Sequence, residues 1–264
     1  MRERSSLLAA AFAAAMPTAG GCAEDGVGTS TGEVEGCSRV HEGDLYVLED
    51  TDLASLSDIQ HVTGAVLVSM GVRQQPDLAF LSCLEIADFG VSIDGNAWLE
   101  TTKGLTQLTE LQNLAVNSNP SLRTIEGFEN IEKIATLDIS HNDALEEIHL
   151  ESVESIELFN LGHCSGLGIQ LSGNDSLVDV GGLVNLASVG SLQIRGNEAL
   201  VSTQVLDALA SNGAPPLDDV RIMWNPKLPE QEVNAKLDAL GVEGSRWVCG
   251  NAGGVQDECD CGIE

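Results

Sequence analysis

Residues 91–111 read VSIDGNAWLETTKGLTQLTEL, and residues 114–134 read LAVNSNPSLRTIEGFENIEKI. Set one beneath the other, at a step of 23 residues, they spell a single pattern. The first holds Val91, Ile93, Asn96, Leu99, Thr102, Leu105, Leu108 and Leu111, and the second Leu114, Val116, Asn119, Leu122, Ile125, Phe128, Ile131 and Ile134. A third unit opens with Leu137, Ile139, Asn142, Leu145 and Ile148. Ile169, Leu171, Asn174, Leu177, Val180, Leu183, Leu186 and Val189 repeat all eight positions. Self-similarity at such a period marks an architecture that stacks one structural unit per repeat. It builds a wall rather than a cleft.

Within a unit the first two apolar residues are two apart, as in a strand. The others recur every three residues, a spacing of neither a long helix nor a long strand. It fits short extended pieces joined by tight turns, with one residue pointing inward at each step. Asparagine tolerates a left-handed backbone, and its amide both donates and accepts. Asn96, Asn119, Asn142, Asn174, Asn197 and Asn225 are therefore expected to line up as a structural ladder.

Working outward, Leu45 with Val47 and Val66 with Val68 read as the first two strands, and Gly71 stands where later units carry Asn. Phe159 and Leu161 read as another strand, with Cys164 on the Asn position. Towards the C-terminus come strands Leu192–Ile194 and Val220–Ile222 and two short amphipathic helices. Ser202–Asn212 starts at a capping Ser and stops at Gly213, and Pro229–Leu240 opens on Pro beside acids and stops at Gly241. Trp247-Val248 closes the pattern. The expected layout is a leader at 1–21, a Gly/Thr/Ser/Glu-rich tether at 22–36, one repeat body at 37–248 and a Cys-rich tail at 249–264.

The 264 residues carry 41 acidic and 12 basic side chains, a formal charge of −29. That balance disfavours nucleic acid, whose binding needs cations to neutralise phosphate, and docking on an anionic lipid surface. Arg2 and Arg4 followed by the apolar run Leu7–Met16 read as an export signal, too short to span a bilayer. Ala19-Gly20-Gly21-Cys22 is similar to a bacterial lipoprotein box, which would place a lipid on Cys22 and the chain in the bacterial envelope or outer membrane. An ordinary signal-peptidase site at Ala19-x-Gly21, giving a secreted chain, is the alternative. The other cysteines, Cys37, Cys83, Cys164, Cys249, Cys259 and Cys261, form an even set suited to disulfides in an oxidising compartment.

Residues 37–69, CSRVHEGDLYVLEDTDLASLSDIQHVTGAVLVS, resemble the opening of a receptor L domain, as found in insulin and epidermal growth factor receptors and in bacterial surface proteins. The matching residues are Cys37, Gly43-Asp44-Leu45-x-Val47, Asp52-Leu53-x-x-Leu56-x-x-Ile59-x-x-Val62-x-Gly64 and Val66-x-Val68. The later Leu-x-Ile-x-x-Asn-x-x-Leu units are similar to leucine-rich repeats. Over roughly 37–248, the resemblance implies a β-rich α/β fold: a right-handed leucine-rich-repeat-like solenoid with a parallel sheet and the two C-terminal helices. In animal receptors such domains bind protein ligands. The Cys-rich modules, membrane span and kinase of those receptors have no counterpart in this sequence.

The chemistry-bearing residues point to binding. The five histidines lack metal-binding spacing, and Cys249-x9-Cys259-x-Cys261 holds only one close pair where zinc sites use more. No metal or cofactor is expected. No nucleophile elbow, phosphate loop or zinc-protease motif occurs, so no enzyme activity is expected. The outward strand positions Ser92, Asp94, Ala115, Asn117, Asp138, Ser140, Gln170, Ser172 and Gln193 are small and polar. Larger residues gather at the two ends: Tyr46, Leu48 and Leu67 at the start, and Arg195, Arg221 and Met223 with Trp224 at the finish. Tyr, Trp and Arg dominate binding hot spots. The leading expectation is an exported, lipid-anchored surface protein recognising a protein or glycan through Tyr46, Leu67, Arg195, Arg221, Met223 and Trp224. A polysaccharide-active enzyme and a structural envelope component without a discrete ligand are the alternatives.

Overall fold

The computed structural model describes residues 36–156 and 168–254. The leader, nearly all of the tether, Cys22, Phe159, Leu161, His163, Cys164, Cys259 and Cys261 lie outside them. The fold is β-rich and parallel. Among the described residues nine strands form the main sheet: β1 (Leu45–Leu48), β2 (Ala65–Ser69), β3 (Gly90–Asp94), β4 (Asn113–Asn117), β5 (Thr136–Ser140), β6 (Gly168–Ser172), β7 (Ser191–Arg195), β8 (Asp219–Met223) and β9 (Arg246–Cys249). Their order in the sheet is their order in the chain, and every pair is parallel.

The repeat step decides the register. Leu114 pairs with Val91 on one side and Leu137 on the other, and Val116 with Ile93 and Ile139. The file continues through Ile169, Leu192 and Val220 and through Leu171, Ile194 and Ile222. These apolar residues are all buried. Because neighbours in a strand point to opposite faces, the alternate residues form the outer face.

Shorter strands run opposite. Arg39–His41, Ile59–Val62, Ile86–Ala87 and Glu110–Leu111 make a four-stranded parallel sheet. Lys133–Ile134, Ser155–Ile156 and Ser188–Val189 make a second, and Thr124–Ile125 pairs with Glu147–Ile148. The three-residue rhythm is thus built from two-residue strands and single 3-10 turns at Leu53–Leu56, Ala79–Leu81 and Gly181–Leu183. Between the sheets runs one core of branched aliphatic side chains with Phe128 among them.

The asparagine ladder forms, with two corrections. Each side-chain carbonyl accepts from the backbone and side-chain amides of the preceding rung. Asn142 Oδ1 takes bonds from Asn119 N at 3.0 Å and Nδ2 at 3.1 Å, and Asn142 Nδ2 donates to the Val116 carbonyl at 2.8 Å. The same holds at Asn96, Asn174, Asn197 and Asn225. Asn251 is a seventh rung, so the repeat body extends past residue 248. Glu230 ends the line, its Oε2 accepting from Asn251 N at 3.2 Å and Nδ2 at 3.4 Å. The second correction concerns conformation. The left-handed residue is not the asparagine but the one before it, a glycine in some repeats and otherwise Ser118, His141 or Trp224, at φ 58°, 57° and 57°. That turn swings the amide inward, where it meets the backbone groups the turn leaves open.

Two repeats depart from the template. At the start, Met70 rather than Gly71 takes the rung: its N–H donates to Asn96 Oδ1 at 2.7 Å and its side chain is buried. Further on, β5 pairs directly with β6, and Asn142 N donates directly to Asn174 Oδ1 at 3.1 Å. The expected strand at Phe159 and Leu161, with Cys164 on the ladder, falls outside the described residues.

The two expected C-terminal helices are α1 (Gln204–Ser211) and α2 (Glu230–Leu240). The expected cap at Ser202 shifts: Thr203 is the N-cap residue and makes no side-chain cap bond. Its hydroxyl is instead captured by α2, donating to Glu232 Oε1 at 2.9 Å and accepting from Lys236. Ser202 Oγ still accepts from Gln204 N at 3.2 Å. Lys236 also pairs with Asp207 at 2.7 Å, which ties the helices together.

Of the candidate cysteines, Cys37 and Cys83 form a disulfide with Cα atoms 5.3 Å apart and a sequence separation of 46. Cys249 is also disulfide-bonded. A loop of that length restricts the unfolded chain, so Cys37→Ser with Cys83→Ser is expected to cost about 2–4 kcal/mol. Urea denaturation measures this, and an unchanged midpoint would show that the bond contributes no stability.

Candidate functional site

The outer face of the main sheet divides into three regions. At the N-terminal end Tyr46 and Leu67 are register partners on β1 and β2, with Leu48 exposed beside them. The Tyr46 hydroxyl is engaged, donating to Asp44 Oδ2 at 3.3 Å. Partial burial, and then the Asp44 carboxylate, push its pKa up. Asp44 is itself held, its other oxygen accepting from Ala65 N at 2.9 Å. This end is knitted together by its own polar groups. Glu42, Asp44, Glu49 and Asp50 flank β1 and discourage pairing along that open edge.

The middle is small and polar. Ser92, Ala115 and Ser140 are buried although they stand on outward positions, because short side chains sink between longer neighbours. The polar atoms here serve one another. Asn117 Oδ1 accepts from Ser140 N at 3.0 Å, Ser172 Oγ donates to Ser140 Oγ at 3.0 Å, and Asn117 Nδ2 reaches Asp138 at 3.3 Å. Asp94 is the strained member: burial pushes its pKa up, and a bond from Ser118 only partly opposes this. A carboxyl whose pKa rises on folding favours folding while protonated, and that contribution is lost as pH climbs through the folded value. Asp94→Asn is therefore expected to raise Tm at pH 7 and to lose its advantage below the ordinary carboxyl pKa of 3.8. Thermal melts across that window check it, and an advantage that persists in acid would rule out the titration.

The C-terminal end is different in kind. Arg195 on β7 is the register partner of Met223 on β8, and Arg221 is the partner of Gln193 on β7 and of Trp247 on β9. Trp224 follows β8 and, as the left-handed residue before Asn225, turns its ring under Arg195, whose guanidinium lies 4.5 Å from the ring centroid. Four of the six sequence-predicted binding residues thus meet in one patch. Tyr46 and Leu67 do not join it, since β1 and β7 are six strand spacings apart, about 29 Å. Trp247 and Gln193 complete the patch. By sequence Gln193 belongs with the small polar positions and Trp247 with a closing strand; that Trp247 stands beside Arg221 shows only in the register.

Six arginines fall within the described residues. Arg39, Arg73, Arg123 and Arg246 are hydrogen-bonded to carboxylates or carbonyls. The guanidiniums of Arg195 and Arg221 make no hydrogen bond among the described residues. Arg221 has only a loose 3.4 Å approach to Asp219, and Arg195 only the ring of Trp224. In a chain with 41 acids and 12 bases, two neighbouring guanidiniums with open N–H groups are the least expected feature of the surface.

The histidines are ordinary by comparison. His61 meets Asp88 at 2.9 Å. His149 lies between Glu151 and Glu147, whose hydrogen bonds hold its pKa up against partial burial. His141 is an exposed turn residue. Among the described residues no group of His, Cys, Asp or Glu could hold a metal ion, and no helix is long and apolar enough to cross a membrane. No protein-family model, curated protein or solved structure matches this chain, so the C-terminal patch is judged on its own chemistry.

Proposed function

We propose that the chain is an exported, lipid-anchored binding protein of a bacterial cell envelope. Its body is a right-handed leucine-rich-repeat-like solenoid of the receptor L-domain type, and it recognises a protein or glycan with the C-terminal end of its outer sheet face. The monotonic parallel strand order at a repeat of about one strand per unit supports the architecture. Parallel crossovers are right-handed in nearly all known cases, which supports the hand. A flat face suits recognition of an extended partner rather than chemistry on a sequestered substrate. The observation that carries the functional reading is the pair Arg195 and Arg221, held out with unspent donors beside two tryptophans. Arg and Trp at the centre of a patch are the residues that dominate measured binding energies.

The test compares wild-type protein with an Arg195→Gln/Arg221→Gln variant on whole bacterial cells. Wild type is expected to decorate the surface and the variant to lose at least tenfold in bound protein. Equal decoration would remove the face from the proposal. Anchoring is tested separately: Cys22→Ser is expected to move the protein from the membrane fraction to the soluble one, and unchanged partitioning would end the lipoprotein reading.

A further inference from the structure

We infer that the ligand of this face is an acidic glycan, and that a uronate carboxylate lies across the guanidiniums of Arg195 and Arg221. The inference rests on the binding reading above and sharpens it to one chemistry.

The two arginines sit on adjacent strands, one register step apart. One strand spacing sideways and two residues along place their Cα atoms about 8 Å apart. Long side chains from such positions converge on a single anion. The guanidinium fork matches a planar carboxylate with two parallel bonds, stronger than neutral ones. Arg195 is already stacked on Trp224, so its plane is held and little rotamer freedom remains to be lost on binding. Arg195 gives up no internal hydrogen bond to receive the ligand, and Arg221 only its loose 3.4 Å approach to Asp219 through Nε, which leaves the outer N–H groups of its fork for the uronate.

The neighbours favour a sugar over a peptide. Trp247 is the register partner of Arg221 and Met223 that of Arg195, so apolar surface flanks the cations where the C–H face of a pyranose ring would lie. Gln193, beside Arg221, offers an amide that both donates and accepts, as ring hydroxyls do. A peptide adds to a sheet by its edge, where backbone groups are unpaired. Here β7 and β8 have strands on both sides, and their backbone groups are already used in the ladders. The chain's formal −29 does not veto an anion, because at physiological salt charges beyond about 8 Å are screened and the contact is decided by the two arginines.

The experiment titrates the full chain with an oligogalacturonate, its fully methyl-esterified counterpart and poly-glutamate of similar length, reading tryptophan fluorescence and calorimetric heat. Oligogalacturonate is expected to bind and to perturb tryptophan emission. Methyl esterification is expected to weaken it at least tenfold, and poly-glutamate to bind at least tenfold more weakly. Arg195→Gln and Arg221→Gln should each cost about tenfold with an unchanged melting curve, since neither guanidinium makes an internal hydrogen bond and the backbone bonds are kept. Equal binding of the ester would show that the carboxylate is not read. Equal binding of poly-glutamate would show that a carboxylate is read without a sugar. Undiminished binding in the double variant would place the glycan elsewhere. If no probe binds but the double variant still loses cell-surface decoration, the glycan inference fails and the binding face stands. If the decoration is also unaffected, both fail.

Discussion

Asn142→Ala is expected to lower stability by about 4 kcal/mol, far beyond the effect of an ordinary polar deletion. Asn142 is completely buried. Its carbonyl accepts two bonds from Asn119, and its amide donates to Val116 O, Ser140 O and Asn174 Oδ1. Alanine removes all of them and brings no water, so the Asn119 backbone N–H and the Val116 carbonyl lose their partners inside the protein. Each orphaned buried group costs about 1–3 kcal/mol, and losing the middle of a polarised chain weakens the bonds on either side. Asn142→Asp keeps the acceptor for Asn119 but removes the donor to Val116 O, and is expected to be destabilising as well. Asn130→Ala is the control: this exposed side chain donates one bond, to Thr106 O at 2.8 Å, and its loss should stay below about 1 kcal/mol. Urea midpoints of the variants decide the matter. Equal midpoints for Asn142→Ala and Asn130→Ala would refute the energetic role of the ladder.

Gly104→Ala is expected to be still more damaging, at about 5 kcal/mol. Gly104 has φ +128°, where a side chain is strained, and an added Cβ would lie 2.3 Å from the carbonyl of Leu78 in the preceding repeat. That approach is needed because Leu78 N donates to Lys103 O at 2.8 Å, one of the bonds that clasp neighbouring repeats. Backbone strain of about 1–3 kcal/mol adds to overpacking of about 1–3 kcal/mol against an atom that cannot move without opening the stack. Gly213 provides the contrast. It has φ +74° but nothing within 4 Å of the added atom, so Gly213→Ala should cost only the backbone term. Limited proteolysis and thermal melts are expected to show early cleavage for Gly104→Ala and near-native behaviour for Gly213→Ala. Similar resistance in both would mean that the close approach is not needed.

The parts of the fold legible in the sequence are those where one residue repeats one job. Leu114, Leu137, Ile169 and Leu192 all face the same core, so the strand file follows from spacing alone. The six asparagines do too, because a buried amide that must both donate and accept leaves few substitutes. The signal for Asn251 was also present, in Val248-x-x-Asn251 after Ile222-x-x-Asn225, but it lay among cysteines and glycines that suggested an irregular tail. Gly104 and Gly127, 23 residues apart, likewise mark a recurring close approach; at Gly127 an added Cβ would lie 3.3 Å from Leu105 N. What spacing does not reveal is pairing between distant segments. The Cys37–Cys83 bond, the direct step from β5 to β6 and the capture of Thr203 by α2 all depend on which units become neighbours. For the site, the right residue types were readable at the C-terminal end, but not that Arg195 would stack on Trp224 or that Trp247 would stand beside Arg221.

The asparagine line has a direction, since every rung passes its N–H groups to the next, and the last pair ends on the Glu230 carboxylate. A row of aligned amides gathers positive potential where its donors end, and an anion there completes it much as it would at a helix N-terminus. Protein length in this lineage is therefore free in one sense and bound in another. Gene duplication of an inner unit inserts a segment whose two ends match any neighbour, whereas truncation ahead of Glu230 leaves the donors of the last rung without the carboxylate that ends the line. Relatives of different size should have gained or lost whole units between a constant opening and a constant acidic stop.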